Sequence, residues 1–238
     1  MAAKGAKPPP PGRGAQRNLS VRLRTATGRS AASQRWLERQ LNDPYVAAAR
    51  AQGWRSRAAF KLIELDDRYH LIRKGARVLD LGAAPGGWSQ VAVQRGAGQV
   101  LGLDLLPIEP VPGATFLVGD FHDADMPARL QALLGGADAA AGADLVLSDM
   151  APNTTGHAAT DHLRIMALAE LALDFACKVL VPGGAFVAKV FQGGAERQLL
   201  EPLKLRFTAV RHAKPDASRK DSSELYVVAN GFRGVTPL

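Results

Sequence analysis

One lysine interrupts an apolar segment in which a charged side chain is unexpected. Lys189 lies within GGAFVAKVFQGG (183–194), and its apolar neighbours are typical of a buried strand. An unpaired ammonium group is costly to bury, so a buried lysine needs partners. Three candidates lie elsewhere in the chain: Asp149 in LSDMAPN, Glu224 in SSELYVV and a second lysine, Lys61, in AAFKLIEL. Two amines and two carboxylates form a nearly neutral group that tolerates burial.

A lysine in such a group can serve as a base. Burial disfavours the charged form of an amine, and removal of a proton from a sugar hydroxyl requires a positioned base. Periodicity alone also allows Lys189 to be a core lysine that the fold merely tolerates. The catalytic interpretation therefore depends on whether a group-transfer cofactor binds nearby.

A turn rich in small residues provides a candidate cofactor site. The segment VLDLGAAPGGW (78–88) joins an apolar strand to a helix and contains Gly82, Gly86 and Gly87. Glycines allow a ligand to approach the backbone closely, and ligands of open α/β sheets bind at the carboxyl ends of strands. An alanine and a proline interrupt the GxGxxG pattern, which counts against a dinucleotide pyrophosphate site.

Three acidic residues lie at the ends of successive strands. Asp80 precedes the glycine turn, Asp104 lies 22 residues after Gly82, and Asp120 follows the third strand. A carboxylate in the second position binds the hydroxyls of a cofactor ribose. The other two suit an ammonium group and an adenine amino group, so the set predicts S-adenosylmethionine. The alternative is that Asp80 and Asp120 only cap turns.

The elements that position these residues alternate between strands and helices. Five apolar strands separated by helices predict a doubly wound, mainly parallel sheet with helices on both faces. Two further strands close the chain and are expected to pair antiparallel at one edge. The predicted fold is therefore α/β, a Rossmann-like class I methyltransferase domain with a seven-stranded sheet.

The chain divides into three predicted parts. Residues 1–35 form a basic arm with little to bury, which we expect to be disordered. Residues 36–231 form the catalytic domain, and 232–238 a short tail. The formal net charge of +8 favours a polyanionic partner such as RNA. No apolar run is long enough to span a membrane, and one cysteine indicates a reducing compartment, the cytoplasm.

The four candidate catalytic residues also resemble a known set. Lys61, Asp149, Lys189 and Glu224 occur in the order of the K-D-K-E tetrad of the FtsJ/RrmJ family. The resemblance covers residues 54–230 and includes SRAAFKL, VLDLGAAPGGWSQ, DLLP, GDF, SDMAPN, VAKVFQG and KPDASR. Members of that family are S-adenosylmethionine-dependent RNA ribose 2′-O-methyltransferases. The similarity is greatest to bacterial members that methylate a uridine of large-subunit (23S) ribosomal RNA.

The resemblance implies a role for each member of the tetrad. Lys189 resembles the base that acts on the 2′-hydroxyl, and Asp149 resembles the partner that orients it near the transferred methyl group. Lys61 is similar to the lysine that places the ribose and its phosphate, and Glu224 to the residue that completes the network. The cofactor contacts implied by the resemblance are Gly86, Trp88, Asp104, Asp120 and Asp149. The cofactor turn itself adds Asp80, Gly82 and Gly87 as candidates.

Basic residues near these segments are candidates for contacts with RNA phosphates. They are Arg55, Arg57, Arg211, Lys214, Arg219 and Lys220. The alternative is that they belong to ordinary solvated loops. Aromatic residues make up 6% of the chain, so we expect no large base-stacking platform.

The resemblance implies a monomer that acts on the large ribosomal subunit. It also implies that no metal is needed, and the spacing of the histidines in the sequence is not that of metal ligands. Three alternatives remain open at the level of the sequence. The substrate could be transfer RNA or another RNA, or the chain could be a non-catalytic RNA-binding factor in ribosome assembly. A nicotinamide-dependent oxidoreductase is disfavoured by the interrupted glycine pattern.

Overall fold

The computed structural model describes residues 31–135, 142–152, 155–193, 196–219 and 221–234. Within them, three helices come first, and strands and helices then alternate except at two places where one strand follows another directly. The elements are α1 (Ala31–Leu41), α2 (Pro44–Ala51), α3 (Ala58–Tyr69), β1 (Arg77–Leu81), α4 (Gly87–Gln94), β2 (Gln99–Asp104), β3 (Ala114–Val118), α5 (Met126–Gly135), β4 (Ala143–Ser148), α6 (Ala158–Val179), β5 (Leu180–Phe191), α7 (Glu196–Arg206), β6 (Phe207–Ala213) and β7 (Glu224–Phe232).

The strands form a seven-stranded sheet in the order β3-β2-β1-β4-β5-β7-β6. The first five strands in the chain pair in parallel, whereas β7 runs antiparallel between β5 and β6. The order reverses between β1 and β4, which is the switch point where open α/β sheets bind ligands. The predicted α/β fold with a mainly parallel seven-stranded sheet is confirmed.

Helices cover both faces of the sheet, because nearly every strand is apolar on both sides. One core contains Met126 of α5, Phe175 of α6 and Leu203 of α7. The other contains Phe60 of α3 and Trp88 of α4. The site residues therefore have packed helices both above and below the strands that carry them.

Two boundaries differ from those predicted. Helix α1 begins at Ala31, inside the segment 1–35 that the sequence analysis predicts as a disordered arm. The rest of that predicted arm lies outside the described residues. The sequence Pro182-Gly183-Gly184 predicts the end of the long helix before the fifth strand, but helix α6 already ends at Val179 and β5 begins at Leu180. None of the described helices is long and apolar enough to cross a membrane.

The chain passes close to itself where β1 enters the glycine turn. Gly82 has a φ of 77°, a conformation that favours glycine. A Cβ at this position would lie 2.8 Å from both the Cα and the backbone nitrogen of Met150, the residue after Asp149. The backbone amide of Asp149 donates to Leu81 O at 3.0 Å, which locks the two loops together. Gly82 thus allows the segment that carries Asp149 to lie against the predicted cofactor turn.

We predict that Gly82→Ala destabilises the protein more than Gly53→Ala. Gly53 has a similar φ of 73°, but nothing lies within 4 Å of its virtual Cβ. Both substitutions carry the left-handed penalty of about 1–2 kcal/mol, and only the first adds a clash with backbone. Urea unfolding of the two variants checks this, and equal losses of stability would contradict the close approach.

Candidate active site

Strand register brings Lys189 to the face of the sheet that is covered by α3. Ala185 and Val187 of β5 pack in the core that contains α3 and α4, and Lys189 follows them at the same period of two. Lys189 lies opposite Tyr226 of β7, and the next residue of β7 on that face toward its start is Glu224. Two antiparallel strands therefore place three polar residues side by side beneath Lys61 of α3.

Five polar side chains form one continuous network at this position. Lys189 Nζ lies 2.9 Å from Asp149 Oδ1 and donates to Asp149 O at 2.8 Å. The Tyr226 hydroxyl donates to the same Oδ1 at 2.7 Å and accepts from Lys61 Nζ at 3.1 Å. Lys61 Nζ lies 2.7 Å and 2.9 Å from the two carboxylate oxygens of Glu224. The structure thus brings all four residues of the predicted tetrad together.

The charged groups of the network are largely withdrawn from water. The side chains of Lys189, Lys61, Glu224 and Asp149 are 9%, 12%, 14% and 17% exposed. Burial by itself raises the pKa of Asp149, but the charges of the two lysines and the hydrogen bond from Tyr226 outweigh it. The pKa of Asp149 is therefore below its ordinary value, and its carboxylate is ionised at neutral pH.

Tyr226 is a member of the network that the sequence pattern did not single out. Its side chain is fully buried. Burial and the carboxylates of Asp149 and Glu224 raise the pKa of the Tyr226 hydroxyl well above its ordinary value of 10.0, so it stays a hydrogen-bond donor. The available signal was its position two residues after Glu224, which places both side chains on one face of a strand.

The glycine turn is held close to the segment that precedes α3. Gly86 has a φ of 98°, and a Cβ there would lie 3.3 Å from the Arg55 side chain. A Cβ at Gly87 would lie 2.6 Å from Ser56 Oγ. Trp88 is buried, donates from Nε1 to Ala58 O at 2.8 Å and packs 5.6 Å from the ring of Tyr226. These three predicted cofactor contacts therefore also position α3 against the network.

The three strand-end carboxylates differ in their surroundings. Asp104 accepts from the backbone amides of Ala84 and Leu106, both at 2.9 Å, and so shapes the turn. Asp120 is 48% exposed, and hydrogen bonds from His122 lower its pKa. Each oxygen of a carboxylate can accept two hydrogen bonds, so both residues keep acceptor capacity for a ligand.

Asp80 lies beneath the turn. The residue is 0% exposed, and its Oδ2 accepts from Ser89 Oγ at 2.7 Å. Its Oδ1 is buried with no hydrogen-bond partner among the described residues. Burial, and to a smaller extent the nearby Asp149 and Asp104, raise the pKa of Asp80 to about 7. An ammonium group close to Oδ1 would supply the missing donor and favour the ionised form.

Comparisons with known proteins agree with this geometry. The sequence model of a family described as FtsJ-like methyltransferase matches residues 54–232. The chain belongs to this family. It is 71% identical over 229 residues to a ribosomal RNA large subunit methyltransferase E from Granulibacter bethesdensis, covering 96% of each chain. A relative of the same description from Gluconobacter oxydans is 68% identical over 91% of this chain and 79% of its own.

A solved structure is similar as well. It is described as a ribosomal RNA methyltransferase from Plasmodium falciparum, and it is 30% identical with a TM-score of 0.68. The match covers 76% of this chain and all (100%) of that chain. Among the residues that the structure describes, no group of three or more His, Cys, Asp or Glu side chains could hold a metal ion.

The basic residues predicted to hold RNA lie in different settings in this FtsJ-like methyltransferase. Arg55 donates to the backbone carbonyls of Pro85, Glu109 and Pro110 and thereby ties the glycine turn to the loop after β2. Arg57 pairs with Asp43 and donates to the carbonyl of Ala217. Both guanidinium groups thus connect protein segments, and their predicted contacts with RNA phosphates remain a prediction.

The remaining candidates follow helix α7. Arg211 is exposed on the edge strand β6, and the exposed Lys214 donates to Ser222 O at 2.6 Å. Arg219 is 32% exposed and lies 3.5 Å from Asp43. Lys220 lies outside the described residues. Arg211 therefore lies on the strand before the loop that leads to Glu224, and Arg219 lies within that loop.

Asp80→Asn should flatten the pH dependence of stability. The folded-state pKa of Asp80 is raised, so its contribution is present at acid pH and decreases as pH rises from about 4 to about 7. Between pH 5 and 8, we expect the wild-type free energy of unfolding to fall by about 2–3 kcal/mol more than that of the variant. Urea unfolding without ligand, measured across this pH range, checks this, and Asp174→Asn at an exposed position is the control. If the free energies of unfolding of the wild type and Asp80→Asn changed in parallel with pH, the raised pKa of Asp80 would be contradicted.

Tyr226→Phe should lower kcat severalfold, and stability by about 1–2 kcal/mol, because it leaves Asp149 and Lys61 with one hydrogen bond fewer each. Asp149 keeps both contacts with Lys189, so activity should persist. Methylation rates and thermal unfolding measure the two effects. Tyr69→Phe, at a half-buried tyrosine of α3, is the matched control. An unchanged kcat would show that the bridge is not needed for the reaction.

Proposed function

We propose that the protein transfers the methyl group of S-adenosylmethionine to the 2′-hydroxyl of a uridine ribose in large-subunit (23S) ribosomal RNA. The observation that carries the proposal is the buried network in which Lys189 is held by two acceptors of one residue, Asp149. Membership of the FtsJ-like methyltransferase family supports methyl transfer in general. The ribose oxygen as acceptor follows from the chemistry of the network.

Lys189 has the geometry of a positioned base. The nitrogen Nζ has four tetrahedral directions, and its bond to carbon takes one of them. Asp149 Oδ1 and the Asp149 carbonyl oxygen lie in two of the other three. When the amine is neutral, its two N–H bonds can donate to these acceptors and its lone pair points away from both. A hydroxyl group in that third direction would lose its proton to Lys189, and the resulting ammonium group would stay paired with Asp149.

Lys61 and Glu224 hold the other end of the network. Both oxygens of Glu224 contact Lys61, and Ser218 Oγ donates to Glu224 Oε1 at 2.8 Å. The ammonium group of Lys61 is thereby fixed in position and keeps a positive charge beside the ribose site. We assign it to orienting the ribose and the adjacent phosphate, since alignment is the main task in a displacement at a methyl carbon.

The turn after β1 fits the proposed cofactor. Carboxylates that can accept hydrogen bonds lie around it. Asp80 Oδ1 has no hydrogen-bond partner among the described residues and suits the ammonium group, and Asp104 at the end of β2 suits the ribose hydroxyls. The half-exposed Asp120 suits the adenine amino group. S-adenosylmethionine supplies an electrophilic methyl group on a sulfonium that is a good leaving group. The protein's part is then to align the acceptor oxygen and to remove its proton.

The proposed substrate follows from relatives and charge. Two relatives that this chain matches over 91–96% of its length bear the name ribosomal RNA large subunit methyltransferase E. The net charge of +8 suits a polyanion, and the basic arm predicted at the start of the chain would add attraction to RNA. The proposal implies a cytoplasmic enzyme that acts as a monomer on the large ribosomal subunit or its RNA.

Lys189→Ala should lower kcat by roughly 10²–10⁴-fold while S-adenosylmethionine still binds, because the base is lost and the glycine turn is intact. Lys204→Ala, which removes an exposed lysine of α7, is the matched control. The assay uses labelled S-adenosylmethionine and large-subunit particles that lack the modification, followed by mapping of the methylated ribose. Calorimetry measures cofactor affinity for each variant.

The outcomes separate the alternatives. Full activity of Lys189→Ala would overturn the assignment of the base. Methylation of transfer RNA in preference to ribosomal particles would change the substrate and leave the chemistry intact. Binding of particles by the wild-type protein without methyl transfer would favour the assembly-factor alternative.

A further inference from the structure

A cavity of about 350 Å³ opens beside the Lys61–Glu224 end of the network. Its walls come from the end of α1, the start of α3 and the loop between β6 and β7. Gln40 and Ala58 lie on the helical side, and Arg219 and Asp221 on the side of the loop. The volume falls at the lower end of the range of small-molecule pockets, about 300–1,000 Å³.

The cavity adjoins the reacting centre. Lys61, which lines it, donates to the Tyr226 hydroxyl, and that hydroxyl donates to Asp149. The cavity is therefore two hydrogen bonds away from the carboxylate that holds Lys189. A nucleotide whose 2′-hydroxyl contacts Lys189 has only its base or an adjacent phosphate close enough to enter this cavity.

The charges around the cavity favour a base over a phosphate. Arg57 and Arg219 both lie against Asp43, whose side chain is 8% exposed, so their positive charge is already partly neutralised. The third cation of the lining, Lys61, is paired with Glu224, and the carboxylate of Asp221 adds a negative charge that would repel an anion. A neutral base with donors and acceptors along one edge meets no such penalty.

Gln40 provides a group that can bind the edge of a base. Its side chain is half-buried in the cavity wall, and its amide makes no hydrogen bond to the described residues. An amide offers a donor and an acceptor side by side. A uracil edge presents the complement, an N3–H donor next to a carbonyl acceptor, and the Ala58 methyl group offers an apolar contact for the ring.

We infer that this cavity receives the base of the methylated nucleotide, and that Gln40 is a specificity-determining residue. The inference rests on the proposed transfer to a ribose and adds the recognition of the base to it. Gln40 belongs to α1, which precedes the segment 54–232 matched by the family. Base selection would thus come partly from a part of this chain outside the common catalytic core.

Gln40→Ala should raise KM for large subunits about three- to tenfold and change kcat less than twofold, because hydrogen bonds to the base that are made equally in ground and transition states are lost. The preference for uridine over N3-methyluridine, which lacks the donor that the amide oxygen would accept, should fall by a similar factor. Gln131→Ala, at an exposed glutamine of α5, is the matched control. Unchanged KM and unchanged base preference in Gln40→Ala would overturn the inference.

Cross-linking provides a readout that is independent of turnover. The full-length protein is irradiated with large-subunit RNA that carries 4-thiouridine at the position methylated by the wild type. Cross-links to Gln40, Arg219, Asp221 or Ser222 support the cavity, and cross-links confined to other surfaces refute it. If the wild-type protein methylates no ribose, the proposed function fails; if it does and Gln40→Ala behaves as wild type, only the cavity assignment fails.

Discussion

The site depends on the pairing of one buried ammonium group with one residue. Lys189 is 9% exposed, and an isolated charge in that position would be strongly destabilising. Asp149 offsets this by accepting through both its carboxylate and its backbone carbonyl. Such a double contact requires the backbone of Asp149 to be fixed, and the hydrogen bond from its amide to Leu81 O provides that. The end of β1 therefore stabilises the pair that Asp149, directly after β4, forms with Lys189 of β5.

The two lysines of the network coexist because opposite charges and a hydroxyl separate them. Lys189 contacts Asp149, Lys61 contacts Glu224, and Tyr226 links the two pairs without contributing a charge of its own. The group is formally neutral, which makes its burial tolerable where a single ion would not be. Neutrality also means that removal of any one member leaves an unbalanced charge, so the four ionic residues act as a unit.

The sequence predicted the fold and the tetrad well because both leave local signals. A lysine inside an apolar strand and acids at strand ends are visible in the pattern, and the sheet was found with helices on both faces. Tyr226 was missed because a buried tyrosine in a strand is ordinary, and its role depends on the register with β5. The contacts of Arg55 and Arg57 with backbone carbonyls could not be predicted either, because sequence shows the charge of an arginine and not its tertiary partners.

The helices before the common catalytic core also have a structural role that the sequence did not indicate. Asp43 caps α2 by accepting from the backbone amide of Tyr45, and the same side chain contacts Arg57 and Arg219. Arg57 in turn reaches the carbonyl of Ala217, next to the serine that orients Glu224. One carboxylate therefore joins the N-terminal helices to the loop that completes the network. Because Asp43 lies before residues 54–232, the segment that the family model matches, the tetrad alone does not indicate this support for the Glu224 end of the network.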